Sequence, residues 1–203
     1  MSQDYLYTIY INTRKCMIKY RKYSSKNAEV NRNDFMTDIN RNTYYIDEYE
    51  NDGNKIYTII TSKDSKITKA SDPFQKQISS LVNKSENTTI LYITNDSCPQ
   101  NILKKYIQLR ENGYSNLTVH FYKHSIFIME LPLHVESMPH KIMNKNEQDK
   151  LNSYYRTKPR DFPSIKYDDP QAIWIGANFN DLIEIDKLSE TAGKNVTYRY
   201  VIE

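Results

Sequence analysis

The chain has 203 residues, 38% of them hydrophobic, and its formal net charge is only +3 at pH 7. This length fits one domain or two small ones, and the small charge argues against a protein that binds nucleic acid through a strong overall positive potential. No stretch resembles a signal peptide or has the apolar length of a membrane span, so we expect no membrane partner.

The first 131 residues alternate between helical and strand-like patterns. Their β-α-β-α-β order predicts a layered α/β domain, with helices against a largely parallel sheet and an antiparallel hairpin at its end. Residues 40–54 are predicted to be a loop or an edge insertion. The predicted helices cover residues 4–22 and 33–39 and begin again at Pro73 and Pro99, and the predicted strands cover residues 55–61, 88–94, 117–121 and 125–129.

A boundary is predicted where the pattern is lost between residues 131 and 140, which include two prolines. We therefore assign residues 1–131 to an N-terminal domain, 132–138 to a linker and 139–203 to a small C-terminal α+β domain. In the C-terminal domain a helix is predicted over residues 144–155, with Asn144 and Glu147 in a capping box. The predicted strands cover residues 165–167, 181–185 and 196–202.

The last fifteen residues, SETAGKNVTYRYVIE, contain a chain reversal followed by a strand. Gly193 suits the reversal because it accepts a positive φ without a Cβ clash. Strand alternation places Val196, Tyr198, Tyr200 and Ile202 on one face and Thr197, Arg199 and Val201 on the other. An Arg on such a face indicates a polar or acidic partner, with an ordinary surface Arg as the alternative.

Two sequence blocks resemble a known family. Ser189-Glu190-Thr191-Ala192-Gly193, followed after two residues by Val196-Thr197-Tyr198-Arg199, resembles the C-terminal signature of the fifth subunit shared by eukaryotic RNA polymerases I, II and III and of its archaeal counterpart. Asp169-Pro170, Ala172 and Gly176 match a second block of that family in order and spacing. The resemblance covers residues 139–202. The chain departs from the family pattern at Gln171, Trp174, Asn180, Lys187 and Leu188, and Asn180 is predicted to keep its turn because Asn tolerates the left-handed region.

The resemblance implies a non-catalytic subunit of a multisubunit DNA-directed RNA polymerase, without cofactor or small-molecule substrate. Its C-terminal domain would be an assembly domain anchored on the largest subunit, among other polymerase subunits. Its N-terminal domain would be a jaw of restriction-endonuclease-like fold beside downstream duplex DNA. The implied compartment is the nucleus in a cell, or the virion and host cytoplasm or nucleus for a large DNA virus, which the Asn-rich composition favours. The partner-binding residues implied are Ser189, Glu190, Thr191, Ala192, Gly193, Thr197, Tyr198, Arg199, Asp169 and Pro170.

Basic residues gather at the end of the first predicted helix, beside Tyr20 and Tyr23. They are suited to DNA phosphates, while a solvated face with a favourable helix dipole explains them equally well. The DNA-proximal candidates are Arg14, Lys15, Lys19 and Lys22.

Catalytic signatures are weak. His120 and His124 have a four-residue spacing but lie in strand-like sequence, so no metal site is predicted. Asp64 and Lys66 allow an alternative, a Mg²⁺-dependent nuclease, if an upstream carboxylate joined them. A free-standing nucleic-acid-binding module is a further alternative. Cys16 and Cys98 have no metal-ligand spacing and are predicted to be free buried thiols.

Overall fold

Two β-sheets with flanking helices make up the protein, giving a mixed α+β fold in which both sheets combine parallel and antiparallel strands. The computed structural model describes residues 4–42, 44–62, 81–82, 87–95, 100–189 and 193–203. The chain divides into two units, residues 1–128 and 129–203, each with its own sheet. The restriction-endonuclease-like character expected of the first unit stays a prediction.

The first unit begins with α1 (Asp4–Lys15), which continues into a π-helical turn (Cys16–Tyr20). Ile9, Thr13 and Met17 are buried at four-residue spacing, as the sequence pattern predicts. The helical structure ends sooner than predicted, because Lys22 has the left-handed φ of 63°. A second helix, α2 (Arg32–Asn42), follows.

The first sheet contains β1 (Ser24–Ser25), β2 (Tyr44–Asn51), β3 (Asn54–Thr61), β4 (Thr88–Thr94) and β5 (Leu117–Lys123), in that spatial order. Strands β3, β4 and β5 are parallel, whereas β2 pairs with β3 as an antiparallel hairpin. Its turn, Asp52-Gly53, has positive φ at both residues, 49° and 78°, as a two-residue hairpin turn requires.

Two predictions in this unit are wrong. Residues 40–54 are not a loop: they contain the end of α2, all of β2 and the turn into β3. The alternation of β2 was obscured by the acidic Asp47 at a buried position. Residues 125–129 do not form a strand, since His124–Phe127 is a 3-10 helix, so the antiparallel hairpin lies at the opposite edge of the sheet. Short apolar runs of this kind do not distinguish strand from helix by themselves.

The core of this sheet lies on both sides of the central strands. Alternate residues of β3, β4 and β5 form one cluster with Leu109 from α3 (Gln100–Glu111), whose chain leaves through Gly113 at φ 98°. Residues of β3 and β4 that face the other way, including Ile60, Leu91 and Ile93, are also buried, as in parallel strands covered on both faces. Most of the helix predicted to begin at Pro73 lies outside the described residues, but Val82 of its predicted buried stripe belongs to the cluster that contains Leu109.

The second unit contains β6 (His140–Ile142), α4 (Lys145–Tyr155), β7 (Ser164–Lys166), α5 (Pro170–Ile175), β8 (Leu182–Ser189) and β9 (Gly193–Ile202). The spatial order is β6-β8-β9-β7, with β7 parallel to β9 and the other pairs antiparallel. The predicted capping box is confirmed: Asn144 accepts from the Glu147 N–H at 3.0 Å, and Glu147 accepts from the Asn144 N–H at 2.8 Å.

The second sheet has apolar contacts on both faces. Ile183, Ile185 and Val201 pack with Ala172 of α5 on one face. Leu182 packs with Met143 and Leu151 on the other, the side of α4. In the part of the chain that the structure describes, no helix has the length and apolarity needed to cross a bilayer.

Candidate partner-binding surface

The β8–β9 hairpin contains most of the residues predicted to bind a partner. Ser189 pairs with Gly193, which leaves Glu190, Thr191 and Ala192 as the connection, and these three lie outside the described residues. Gly193 has φ 70°, and a Cβ there would meet nothing within 4 Å. The backbone conformation, and not a lack of space, therefore favours glycine at this reversal.

Arg199 lies opposite Ile183 in the hairpin, and Thr197 lies opposite Ile185. The Arg199 Nη1 donates to the Ser164 carbonyl at 3.4 Å, a long bond. The Thr197 Oγ1 is buried and has no hydrogen-bond partner among the described residues. Val201, which shares their face, is 1% exposed beneath α5, so one end of this face is hydrophobic core.

Tyr198 lies on the opposite face of β9, next to α4. Its ring contacts Phe162 at 5.8 Å and Tyr155 at 6.4 Å, both edge-on. Burial raises the pKa of the Tyr198 hydroxyl, and the charge of Glu184, directly across the hairpin, raises it further. Tyr198 therefore stays neutral over the physiological range and contributes packing to this part of the sheet.

Asp169 and Pro170 belong to a separate element, the start of α5. The Asp169 carboxylate accepts from the Gln171 N–H at 2.8 Å, and Pro170 occupies the first turn, where its missing N–H costs nothing. Gly176 ends the helix at φ 76°. The described contacts thus give this second family block a structural role, because it positions α5 under the sheet.

Asn180 confirms the expectation for its turn, with a left-handed φ of 70°. Its side-chain oxygen accepts from the Tyr200 hydroxyl at 2.6 Å, and its N–H donates to the Val201 carbonyl at 3.1 Å. Sequence reasoning missed the Tyr200 contact because the two residues are twenty positions apart. It also missed Tyr154 and Tyr155, which are 80% and 51% exposed at the end of α4.

In the first unit, Arg14 does not lie on the basic surface predicted for it. Its side chain is 9% exposed, and its Nη1 is 2.7 Å from Oδ2 of Asp47, which is 1% exposed. The Arg14 Nη2 donates to the Asn27 carbonyl at 2.8 Å. The amphipathic pattern of the helix did not predict the burial of Arg14, because a charged residue is buried only when the fold brings its partner to it from a distant strand.

Lys15, Lys19 and Lys22 are exposed, in contrast to Arg14. The Lys19 ammonium lies 5.0 Å from the ring centre of Tyr20, and Lys22 donates to the Lys19 carbonyl at 2.6 Å. The surface predicted near DNA thus keeps three of its four cations.

The described residues hold no group of three or more His, Cys, Asp or Glu arranged to bind a metal ion. His120 is partly buried and stacks on Tyr122 at 5.9 Å, while His124 is buried and contacts the Tyr5 ring edge-on. Cys16 is buried and forms no disulfide within the described residues, as predicted, and burial raises the pKa of its thiol. Cys98 and the nuclease candidates Asp64 and Lys66 lie outside the described residues.

Comparison with known proteins identifies the second unit. Residues 129–201 match the family model described as the C-terminal domain of RNA polymerase Rpb5. The DNA-directed RNA polymerase subunit Rpo5 of Nitrosopumilus maritimus is 36% identical over 73 residues, which are 36% of this chain and 88% of the relative. Rpo5 of Pyrococcus abyssi is 40% identical over 70 residues, 34% of this chain and 85% of the relative.

A viral protein is similar over a longer stretch. The DNA-directed RNA polymerase RPB5 homolog of African swine fever virus is 27% identical over 103 residues, 50% of this chain and 49% of that protein. The archaeal relatives, in contrast, are matched over most of their own length. The chain belongs to the Rpb5 family of DNA-directed RNA polymerase subunits, which are accessory and not themselves catalytic.

Proposed function

We propose that this subunit is anchored on the largest polymerase subunit through its C-terminal unit, while its N-terminal unit extends as a jaw beside downstream duplex DNA. In this proposal residues 1–131 are the jaw domain, 132–138 the linker and 139–203 the assembly domain. The hairpin of β8 and β9, with its connection Glu190–Ala192, is the anchoring element.

The proposal rests on one observation: β8 and β9 extend beyond the parts of them that pair with β6 and β7. Strand β6 pairs only with Ile183–Ile185, and β7 pairs only with Tyr200–Ile202. The Tyr200 N–H points to the β7 side, where it donates to the Pro163 carbonyl at 2.9 Å. By strand alternation the N–H groups of Val196 and Tyr198 point the same way, and no described strand pairs with them. Such an edge suits an extended segment of a partner subunit.

Arg199 supports the same assignment. A guanidinium has five N–H donors, and among the described residues the Arg199 side chain makes a single long hydrogen bond. Its remaining donors match a carboxylate or carbonyl pair in a fork geometry that lysine does not reproduce.

The test is retention of the largest subunit in co-immunoprecipitates of Arg199→Ala and Arg199→Lys, with Lys166→Ala as an exposed cation on the neighbouring β7. If Arg199 is desolvated on assembly, Arg199→Ala costs about 2–5 kcal/mol of binding and Arg199→Lys recovers little of it. Lys166→Ala is expected to bind as wild type. Wild-type retention of a folded Arg199→Ala protein under stringent washing would rule out this anchor.

The DNA-facing part of the proposal concerns Lys15, Lys19 and Lys22, since Arg14 is buried. Replacing the three lysines by Glu is expected to weaken crosslinking to downstream DNA in the assembled polymerase, because phosphate contacts are lost. Retention of the largest subunit should not change. Unaltered crosslinking in a complete enzyme would leave these lysines as a solvated face.

The subunit is expected in the same compartment as the polymerase to which it belongs. The length of the match to the viral homolog supports the virion and the host cytoplasm or nucleus, and a cellular polymerase would place it in the nucleus. Purified virions or isolated nuclei probed with an antibody to the chain distinguish the two.

A further inference from the structure

The end of α4 presents tyrosines and cations together on the second unit. Here α4 finishes at Tyr155, and a 3-10 turn (Pro159–Asp161) follows after three residues. Arg156, Lys158 and Arg160 are all exposed, directly after Tyr154 and Tyr155. We call these five residues the basic aromatic surface.

The cations of this surface are not neutralised by the described chain. No ion pair among the described residues includes Arg156, Lys158 or Arg160. The ion pairs of the described chain join Arg14 to Asp47, Lys26 to Glu50, Arg32 to Asp4 and Lys141 to Glu147. The adjacent Asp161 carboxylate accepts from the Lys158 backbone N–H at 2.9 Å. The three cations lie within residues 156–160, and five consecutive residues extend over at most about 17 Å. The cations are therefore within reach of a few successive phosphates of one strand.

Arg156 occupies an unfavourable backbone position. It ends α4 with φ 52° and ψ 40°, the left-handed conformation in which helices usually place glycine. Its N–H and that of Thr157 point to the Asn152 carbonyl. A cation at a helix C-terminus is stabilised by the helix dipole, but the energy involved is of the same order as the cost of the left-handed backbone conformation. The stability of the helix end therefore does not favour Arg over Gly. An exposed side chain held at such a position is a candidate for binding.

The two tyrosines differ in how they are held. Tyr155 contacts Tyr154 at 5.0 Å, Phe162 at 6.0 Å and Tyr198 at 6.4 Å, so its ring belongs to an ordered aromatic cluster. Tyr154 is 80% exposed and rests edge-on against Tyr155. Its ring therefore presents π-surface to solvent, and the three exposed cations follow it within six positions of the sequence.

We propose that the basic aromatic surface binds single-stranded nucleic acid, with a base stacked on Tyr154 and the backbone held by Arg156, Lys158 and Arg160. Stacked aromatic rings beside a basic track are the general means of holding unpaired strands without sequence preference. Bases in a duplex are already stacked and do not offer their faces. An acidic polypeptide would satisfy the cations but would leave the Tyr154 ring unused. This contact lies on the second unit and is separate from the proposed jaw.

The experiment measures binding of the full-length chain to a labelled oligothymidylate by fluorescence anisotropy at several salt concentrations. The triple variant Arg156→Gln/Lys158→Gln/Arg160→Gln should lower the slope of log affinity against log salt by about 2, since each phosphate contact contributes about 0.7. A matched variant, Lys141→Gln/Lys145→Gln/Lys166→Gln, removes the same charge from exposed positions of the same unit that are distant in sequence from Tyr154. An equal loss in both variants would overturn the proposal, since it would show diffuse electrostatic attraction.

Tyr154 tests the stacking. We expect Tyr154→Ala to weaken binding at least about fivefold and Tyr154→Phe to bind as wild type, because the ring and not the hydroxyl makes the contact. The fluorescence of the single buried Trp174 confirms that each variant is folded. Equal affinity for a duplex, unchanged binding by Tyr154→Ala, or competition by polyglutamate as effective as that by unlabelled oligothymidylate would each overturn the assignment.

Discussion

Arg14 and Asp47 form a buried ion pair that joins the first helix to the second strand of the N-terminal unit, with 2.7 Å between Nη1 and Oδ2. The Asp47 carboxylate also accepts from the Tyr49 hydroxyl at 2.7 Å and from the Asn27 side-chain amide at 3.0 Å. Burial raises the pKa of the Tyr49 hydroxyl, with the charge of Asp47 as the second cause, so Tyr49 remains a donor. A buried carboxylate with this many donors is satisfied, and removing its charge leaves Arg14 uncompensated.

We expect Asp47→Asn to lower the free energy of unfolding by about 3–5 kcal/mol, because it leaves a buried guanidinium without a counter-charge. Chemical denaturation followed by far-UV circular dichroism measures the effect. Asp4→Asn is the matched control, since it breaks the exposed Asp4–Arg32 pair and should cost less than about 1 kcal/mol. Similar losses in both variants would contradict a special role for the buried pair.

The C-terminal unit is expected to fold by itself, because its sheet and both of its apolar clusters are formed by residues within 129–203. Trp174, the single tryptophan of the chain, is fully buried in this unit. A fragment of residues 129–203 should show well-dispersed amide resonances and the same Trp174 emission maximum as the full chain. A red-shifted emission with collapsed resonances would show that the fragment needs the rest of the chain.

The capping box of α4 gives a smaller, local prediction. Asn144→Ala removes the acceptor of the Glu147 N–H and is expected to destabilise the second unit by about 1 kcal/mol. The midpoint of urea unfolding, followed by Trp174 fluorescence, reports this unit directly. Asn146→Ala, at an exposed position within the same helix, should leave the midpoint nearly unchanged. An equal shift in the two variants would mean that the cap adds nothing.

His120 should make stability depend on pH. Burial, with the charge of Arg21 as the second cause, lowers its pKa from 6.5 in the folded chain. The unfolded chain then binds a proton more readily, so the stabilising contribution is present above pH 6.5 and is lost as the pH falls towards the folded pKa.

Lowering the pH from about 7.5 to about 5.5 should therefore reduce the free energy of unfolding less in His120→Gln than in the wild type, as measured by chemical denaturation. His134→Gln, at an exposed position, should behave as wild type. A pH profile of His120→Gln that is identical to the wild-type profile would assign the dependence to other groups.

Local sequence determined the elements whose signals lie within one short segment. The parallel strands β3, β4 and β5, the capping box at Asn144 and the left-handed turn at Asn180 were all predictable, because strand composition, capping and backbone conformation depend on near neighbours. The C-terminal family motif likewise lies within one short segment, residues 189–199. The two sequence blocks were enough to predict the family, which the comparisons confirm.

Only the tertiary structure decided which polar residues are internal. Arg14 and Lys15 are neighbouring cations in the sequence, yet one is buried and the other exposed, since Asp47 comes to Arg14 from a strand 33 residues away. The same distant pairing concealed β2, because an acidic residue at its buried position broke the apolar alternation. The energy of such a pair comes from desolvation and geometry shared between remote segments, and local sequence encodes neither.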